Sequence, residues 1–499
     1  MENVKQMEEK FRALLQEQDS YREALSLVQW DLRTKIPTKG TDQRAEVIGL
    51  LSQKIHQIKT SDEMKECIDQ LKNQTGDAIL QRAVEVCEEE YQRSSLIPDE
   101  EHRAYITLQS KSESIWQQAR DEDNFELLQP YLEELVAYNK KFATYWGATT
   151  NKYDQLLDLF EPGVTTALLD QVFEQVRDGL TDLVQQISQA DHQPDSHILT
   201  HYFPKEAQEK FSLDVLHRMG YDFQSGRLDE TIHPFAIGIN PNDVRITTRY
   251  DEQDFRMAVF GTIHEGGHAL YEQNIDNALA QTPLATGTSM GIHESQSLFW
   301  ENFVGRSKSF WKVLMEDFKS VAPEAFQQID FEDFYGAVNE VKPSYIRIEA
   351  DELTYCLHIM VRYELEKALI DGDLAVKDLP EAWNDKMEAY LGIRPSTNKQ
   401  GVLQDIHWSG GDFGYFPSYA LGYMYAAQLH HQMQQEMDVE AVIESGDFSP
   451  ITSWLTEHIH QYGKVKKPLE LIKEVTGSSL NASYLVTYLT NKYKAIYNL

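Results

Sequence analysis

The rhythm of apolar and polar positions changes twice along the chain. Up to about residue 220 the apolar positions recur with the period of an amphipathic helix. Phe11, Leu14, Leu15, Tyr21, Ala24 and Leu25 share one face of a predicted helix over 1–32. Pro37 and Gly40 interrupt it and a second helix follows over 42–58, so 1–60 reads as a helical hairpin. Further helices are predicted over 76–96, 99–121 and 124–146, divided by Pro98 and by Asp121-Glu122-Asp123. Pro130 falls early in the third, where a missing N–H costs least. Thr165 caps a long helix ending near Gln189, 190–203 is a polar loop around Pro194, and Pro204 opens a helix that ends at Gly220.

Between 221 and 250 that period fades and β-branched residues gather. Asp243-Val-Arg-Ile-Thr-Thr-Arg-Tyr250 alternates with period two and is the best strand in the chain. The helical rhythm then returns. Met257, Phe260, Ile263 and Leu270 form an apolar stripe, with Asp251, Glu252 and Asp254 at the N-terminal turn, where the helix dipole favours negative charge. Loops are expected over 281–290, 341–345 and 393–416, and the remainder to the C-terminus is helical. No internal repeat or low-complexity tract breaks this pattern. The fold class is mainly α, with a small β-sheet beside the helix that follows Tyr250.

That helix carries His264-Glu265-Gly266-Gly267-His268. Residues four apart share a helix face, so two imidazoles can meet at one point. Zn²⁺ takes imidazole nitrogen, and this pair makes half of a tetrahedral site. Glu265 lies about 100° round the helix, placed to take a proton from a water at the metal rather than to ligate. The two glycines cost helix stability, about 1 kcal/mol each relative to Ala. Their missing side chains predict the close approach of a substrate backbone or a neighbouring strand.

A hydrolytic site needs a third protein ligand and an open position. The extended motif with a third histidine is excluded, because Ala-Leu-Tyr-Glu-Gln-Asn follows His268. A glutamate on a later helix is the alternative. Glu294 in Thr288-Ser-Met-Gly-Ile-His-Glu-Ser-Gln296 supplies it, with Ser289 or Thr288 as cap, and Glu301 and Glu272 compete for the role. Leu298 stands where thermolysin-type sites place an orienting Asp, which leaves the partners behind the histidines unassigned.

Charge narrows the function further. The chain of 499 residues carries a formal net charge of −34. Such a polyanion repels nucleic acid and anionic lipid, which excludes both as main partners. It also means that any substrate carboxylate needs a local cluster of arginine. Three widely spaced cysteines, Cys67, Cys87 and Cys356, give no disulfide framework. They fit a reducing, cytoplasmic location, as does an N-terminus with no apolar signal region. Nothing approaches the 18 apolar residues of a membrane span. Two Asn-x-Ser/Thr patterns, at Asn73 and Asn481, read as chance matches.

Six blocks occur in one order. They are His233-Pro234-Phe235, Asp243-x-Arg245-x-Thr247, His264-Glu265-x-x-His268, His293-Glu294-Ser295-Gln296, Ile346-Arg347-x-x-Ala350-Asp351 and Gly401-x-x-Gln404-Asp405-x-His407-Trp408. With them the chain resembles the carboxypeptidase Taq family of metallocarboxypeptidases, in the superfamily of neurolysin and angiotensin-converting enzyme. The resemblance implies one zinc per subunit on His264, His268 and Glu294, with Glu265 as general base. It also implies a helical fold with a deep central groove, a homodimer, and release of single C-terminal residues from peptides. In that frame 1–499 is one peptidase unit, with the hairpin 1–60 as candidate lid and 221–430 as catalytic segment.

The remaining blocks have physical roles to test. Arg347 is the candidate clamp for the substrate's α-carboxylate, with Arg245 and Arg249 as rivals; the structural alternative pairs it with Asp351. Asp243, Arg245 and Thr247 share one strand face, either a substrate-binding edge or a structural pair. Relatives of the fold use a His and a Tyr to stabilise the oxyanion, which assigns His407 and Tyr419, with Tyr423 as alternative. His233 is a candidate contact for the substrate's end or a rigid turn before Pro234. Co²⁺ fits the same ligands as Zn²⁺. A zinc endopeptidase on the same metal site is the main alternative activity, and a helical peptide-binding scaffold with a structural metal is the non-enzymatic one.

Overall fold

The computed structural model describes residues 2–72, 74 and 76–499. Helices dominate, and three short strands form a single sheet. Asn73 and Thr75 of one glycosylation pattern lie outside the described residues.

The helical rhythm of the N-terminal half translates closely into structure. Helices run over Glu2–Thr34, Thr41–Lys59, Ala78–Ser95, Asp99–Asp121 and Phe125–Tyr145, the last with Pro130 inside its second turn. Thr165 accepts the Leu168 N–H and starts Thr166–Ser188. Gly220, at φ 91°, closes Lys205–Met219. A short helix over Asp62–Leu71, capped by Ser61, has no counterpart among the expected elements. It buries Met64, Cys67, Ile68 and Leu71.

The sheet corrects one expectation. Its order is β1 (Gly226–Glu230), β3 (Asp243–Thr248), β2 (Ala236–Asn240), with β1 parallel and β2 antiparallel to β3. The strand carrying Arg245 is therefore central and not an edge. Both its sides are paired, and no peptide can add to it by β-augmentation. The end of the first N-terminal helix docks on this sheet. Trp30 meets Phe235 edge-to-face at 5.4 Å, and Arg33 sits over the Phe235 ring. The second helix of the hairpin buries no residue.

From β3 the chain passes into helix Arg256–Gln273. Asp254 accepts the Arg256 N–H at its start. Phe260, Ile263 and Leu270 enter the core as expected, but Met257 is 46% exposed, so the stripe is narrower than the pattern implied. The next helix, Met290–Leu298, continues into a π-helical turn over Phe299–Gly305. Helix Pro417–Glu436 packs along Met290–Leu298 and completes the core around the site.

Candidate active site

Helix Arg256–Gln273 crosses Met290–Leu298 at very short range, and Gly267 explains how. A Cβ there would stand 2.5 Å from the Gln296 carbonyl oxygen and 2.7 Å from the Ser297 Cα. Gly266 receives Leu216 and Met219 from helix Lys205–Met219. The glycine pair thus admits two helices, not a substrate backbone or a strand.

The crossing brings His264, His268 and Glu294 together. One ligand atom from each lies within 4.8 Å of the others. Glu294 Oε2 is 3.4 Å from His268 Nε2, and Oε1 is 3.9 Å from His264 Nε2. Ser289, not Thr288, caps the helix that presents Glu294. The three side chains keep 23%, 16% and 11% exposure, so the cluster opens to solvent.

The histidines are held from behind. His264 Nδ1 lies 2.9 Å from Glu301 Oε2, whose other oxygen accepts from Arg306 at 3.0 Å. Glu301 and Glu272 had been rival ligands; both stand behind an imidazole instead. His268 Nδ1 is 2.6 Å from His293 Nδ1, and His293 Nε2 is 2.8 Å from Glu272. The network assigns the tautomers: each Nδ1–H of the candidate ligands points backward, leaving Nε2 free to ligate. Leu298 gave no hint of this, because Glu301 reaches His264 from the π turn one residue past Trp300.

Electrostatics favour a cation at this point. Burial opposes charge on His264, but the Glu301 hydrogen bond and the carboxylates of Glu294, Glu301 and Glu265 raise its pKa to about 10. Burial pushes His268 down to about 4, keeping it neutral. Burial raises Glu265 to about 7, and its carboxylate has no hydrogen-bond partner among the described residues. Three carboxylates against two imidazoles, with nitrogen and oxygen donors converging, suit a divalent metal of the zinc class.

A second charged cluster lies within electrostatic range of the same tyrosines as the first. Arg347 begins a short 3-10 turn and is 6% exposed. Its Nε and Nη2 both donate to Asp405 Oδ1, at 3.1 and 2.9 Å. Arg362, fully buried, takes the other Asp405 oxygen. Gln404 accepts from the Arg347 N–H and from Arg362. Two guanidiniums on one carboxylate leave a net positive charge inside a strongly acidic protein. Arg347 Nη1 has no partner among the described residues. Asp351 is spent elsewhere: it accepts from Leu353 and Thr354 and starts the next helix.

Tyr419 and Tyr355 each feel both the Glu294 carboxylate and the Arg347 guanidinium, so both lie near the two clusters. The Arg347 guanidinium lies 4.8 Å from the Tyr419 ring centroid. His407 Nε2 is 3.2 Å from the Tyr419 hydroxyl. Burial holds the His407 pKa at about 4, so the ring is neutral. The loop bearing His407 is pinned by Glu366, which accepts from Trp408 Nε1 and the Gly414 N–H. Tyr355 carries no motif and was invisible in the sequence.

Three expected residues make no contact with either cluster among the described residues. The Tyr423 hydroxyl donates to buried Glu352 at 2.7 Å, and its ring has no exposure, so it cannot meet substrate. Arg245 gives both fork donors to Asp243 at 2.7 Å and lies over the Trp30 ring, which makes it a structural pair. His233 is exposed in the turn before β2 and makes no hydrogen bond among the described residues.

Known proteins resemble this chain along its whole length. The sequence model of the carboxypeptidase Taq (M32) metallopeptidase family matches residues 10–493. Carboxypeptidase 1 of Bacillus subtilis is 52% identical, over 99% of each chain. Thermostable carboxypeptidase 1 of Thermus thermophilus is 42% identical, over 95% of each. The crystal structure of an M32 carboxypeptidase from Deinococcus radiodurans superposes with a TM-score of 0.96 at 35% identity, covering 99% of this chain and 100% of that one. With a histidine-glutamate cluster suited to a divalent metal and relatives of this closeness, the chain belongs to the carboxypeptidase Taq (M32) metallopeptidase family and is a metallocarboxypeptidase.

Proposed function

We propose that the enzyme uses zinc, held by His264, His268 and Glu294, to release single residues from the C-termini of peptides with broad specificity. The observation that carries this reading is a metal-type triad and, acting on the same Tyr419, an arginine with one free guanidinium nitrogen. A carboxypeptidase needs both, one residue apart along the substrate. Arg347 Nη1 binds the terminal α-carboxylate, a group every peptide has, and Asp405 and Arg362 hold the fork rigid. Zinc held at the triad would supply Lewis acidity for the peptide carbonyl and would lower the pKa of water toward ~7.

The chain's own groups do the rest. Glu265 removes one proton from the attacking water, whose oxygen bonds to the carbonyl carbon. As the C–N bond breaks, Glu265 passes that proton to the departing amine and returns to its ionised form. Neutral His407 donates Nε2–H to the Tyr419 oxygen, and Tyr419 turns its O–H toward the carbonyl oxygen as negative charge builds there. Arg245, His233 and Tyr423 take no part.

The same reading covers the setting. The hairpin over 1–60 is a lid on a groove within a single peptidase unit, and Trp30 and Arg33 tie it to Phe235. The enzyme is cytoplasmic, consistent with three buried free cysteines, and dimeric, as light scattering on the purified chain will test. No helix of the described residues is long and apolar enough to cross a membrane.

The test is a peptide digest read by mass spectrometry, with wild type and Glu265→Gln. Wild type should give a ladder of single C-terminal losses across varied terminal side chains. The variant should keep its metal and lose ~10³-fold or more in kcat/KM, about 4 kcal/mol. Internal cuts by wild type, or near-normal turnover by the variant, would refute the reading.

A further inference from the structure

We infer that Glu161 is a positioning residue for the metal site: it anchors the first turn of the helix that presents Glu294. The inference rests on the triad being the metal site and extends the site's machinery into the N-terminal half of the chain.

Glu161 is fully buried and belongs to no motif. It follows helix Tyr153–Leu157, more than a hundred residues before the histidines. One carboxylate oxygen accepts the Gly291 N–H. Gly291 is the second residue of helix Met290–Leu298 and lies three residues, one turn, before Glu294. Every helix start leaves N–H groups without partners. Here the first three are all satisfied: Met290 donates to the Phe160 carbonyl at 3.1 Å, Gly291 to Glu161, and Ile292 to Ser289 Oγ at 3.1 Å. Two of these three acceptors, Phe160 and Glu161, come from the same N-terminal turn. The start of the Glu294 helix is thus fixed by a segment that contributes nothing else to the site.

The contact is tight on both sides of that helix. A Cβ at Gly291 would stand 2.6 Å from Glu161 Oε1. From helix Pro417–Glu436, a Cβ at Gly422 would stand 2.7 Å from the Glu294 Cβ and 3.0 Å from the Gly291 carbonyl oxygen. Glu161 and helix Pro417–Glu436 thus both press closely on the turn that presents Glu294. Glu161 also touches the second wall. The hydroxyls of Ser418 and Tyr425, on helix Pro417–Glu436, surround its carboxylate. Glu161 Oε2 and both hydroxyls are buried without a completed hydrogen bond. Tyr419 sits next to Ser418. One carboxylate therefore sits against both the helix of Glu294 and the helix of Tyr419. A buried carboxylate is costly unless its surroundings use it, and here its use is to set where Glu294 meets His268.

The test measures metal affinity by chelator competition in wild type, Glu161→Ala, Glu161→Asp and Glu161→Gln, with His264→Ala as control and the unfolding temperature of each metal-free form. Glu161→Gln keeps an acceptor for Gly291 at the same length and should bind metal within threefold of wild type. Glu161→Asp withdraws the carboxylate by one methylene and should weaken metal binding at least tenfold, as should Glu161→Ala. A merely structural role predicts lower unfolding temperatures with unchanged metal affinity, and that result in Asp, the milder variant, overturns the inference even if Ala does not fold. Loss of affinity in Gln equal to that in Asp also overturns it. If wild type itself binds no metal that His264→Ala abolishes, the fault lies with the triad as the metal site and not with Glu161.

Discussion

Replacing Glu301 with glutamine separates the triad from what holds it. Glu301 bridges two donors, His264 Nδ1 at 2.9 Å and Arg306 Nη2 at 3.0 Å. An amide of the same size has one acceptor oxygen, so one of the two bonds must go, and the charge goes with either. A hydrogen bond to a charged group contributes about 1.5–3 kcal/mol. Removing a partner behind a metal-ligating histidine costs ~10–100-fold in metal affinity, about 1.4–2.7 kcal/mol. The two scales agree, so Glu301→Gln should raise the metal Kd, corrected for proton competition at His264, by one to two decades. Arg306 keeps the Val338 carbonyl and the Phe260 ring, which limits the damage to the fold. A second readout follows from the sign of the His264 shift. Metal needs the neutral imidazole, and in the metal-free protein His264 stays protonated up to about pH 10. Metal binding at pH 8 should therefore release about one proton, and affinity should rise with pH through that range. In Glu301→Gln the proton release should shrink. Calorimetry in two buffers of different ionisation enthalpy measures both. A Kd within twofold of wild type together with unchanged proton release would show that Glu301 does not act on His264.

Further outcomes follow from the rest of the cleft. Arg347→Lys replaces a planar fork with a point charge, and kcat/KM on free-carboxylate peptides should fall ~10²-fold or more while C-terminally amidated peptides stay poor substrates for both enzymes; equal rates for wild type and variant would remove Arg347 from substrate binding. Tyr423→Phe should leave kcat/KM within twofold and lower stability by about 1–3 kcal/mol, because buried Glu352 loses a donor; a large loss of activity at normal stability would put Tyr423 back in the site. Glu265 must be ionised to act, so activity falls as pH drops through its pKa. Burial sets that at about 7 in the metal-free protein, and a bound dication draws it lower. The acid limb of the kcat/KM profile should therefore lie below pH 7 with unit slope, and a limb above 7 would exclude Glu265 as the base.

What the sequence made legible was whatever a local pattern can encode. The helix bearing His264 and His268 has both an apolar stripe and an i, i+4 pair, and the strand before it alternates cleanly. Contacts set by packing were not legible. The alternation in Asp243-x-Arg245-x-Thr247 identifies a strand but not its neighbours, so a central strand looked like an edge. Tyr419 and Tyr423 are one turn apart in identical company. Only the fold shows that one meets His407 while the other reaches Glu352. Glu301 looked like a rival ligand because its distance from His264 depends on a π-helical turn, which leaves no periodic trace. Tyr355 and Glu161 sit far from any recognisable block. Each acquires its place through contacts with helices distant in sequence.

The decisive measurement is an anomalous-difference map from a crystal grown with zinc, collected on both sides of the zinc absorption edge. One peak per chain is expected, bonded to His264 Nε2, His268 Nε2 and the Glu294 carboxylate, and present only above the edge. Density at that position with no edge-dependent signal, or a zinc peak on other residues with these three side chains turned apart, would contradict the assignment of the metal site.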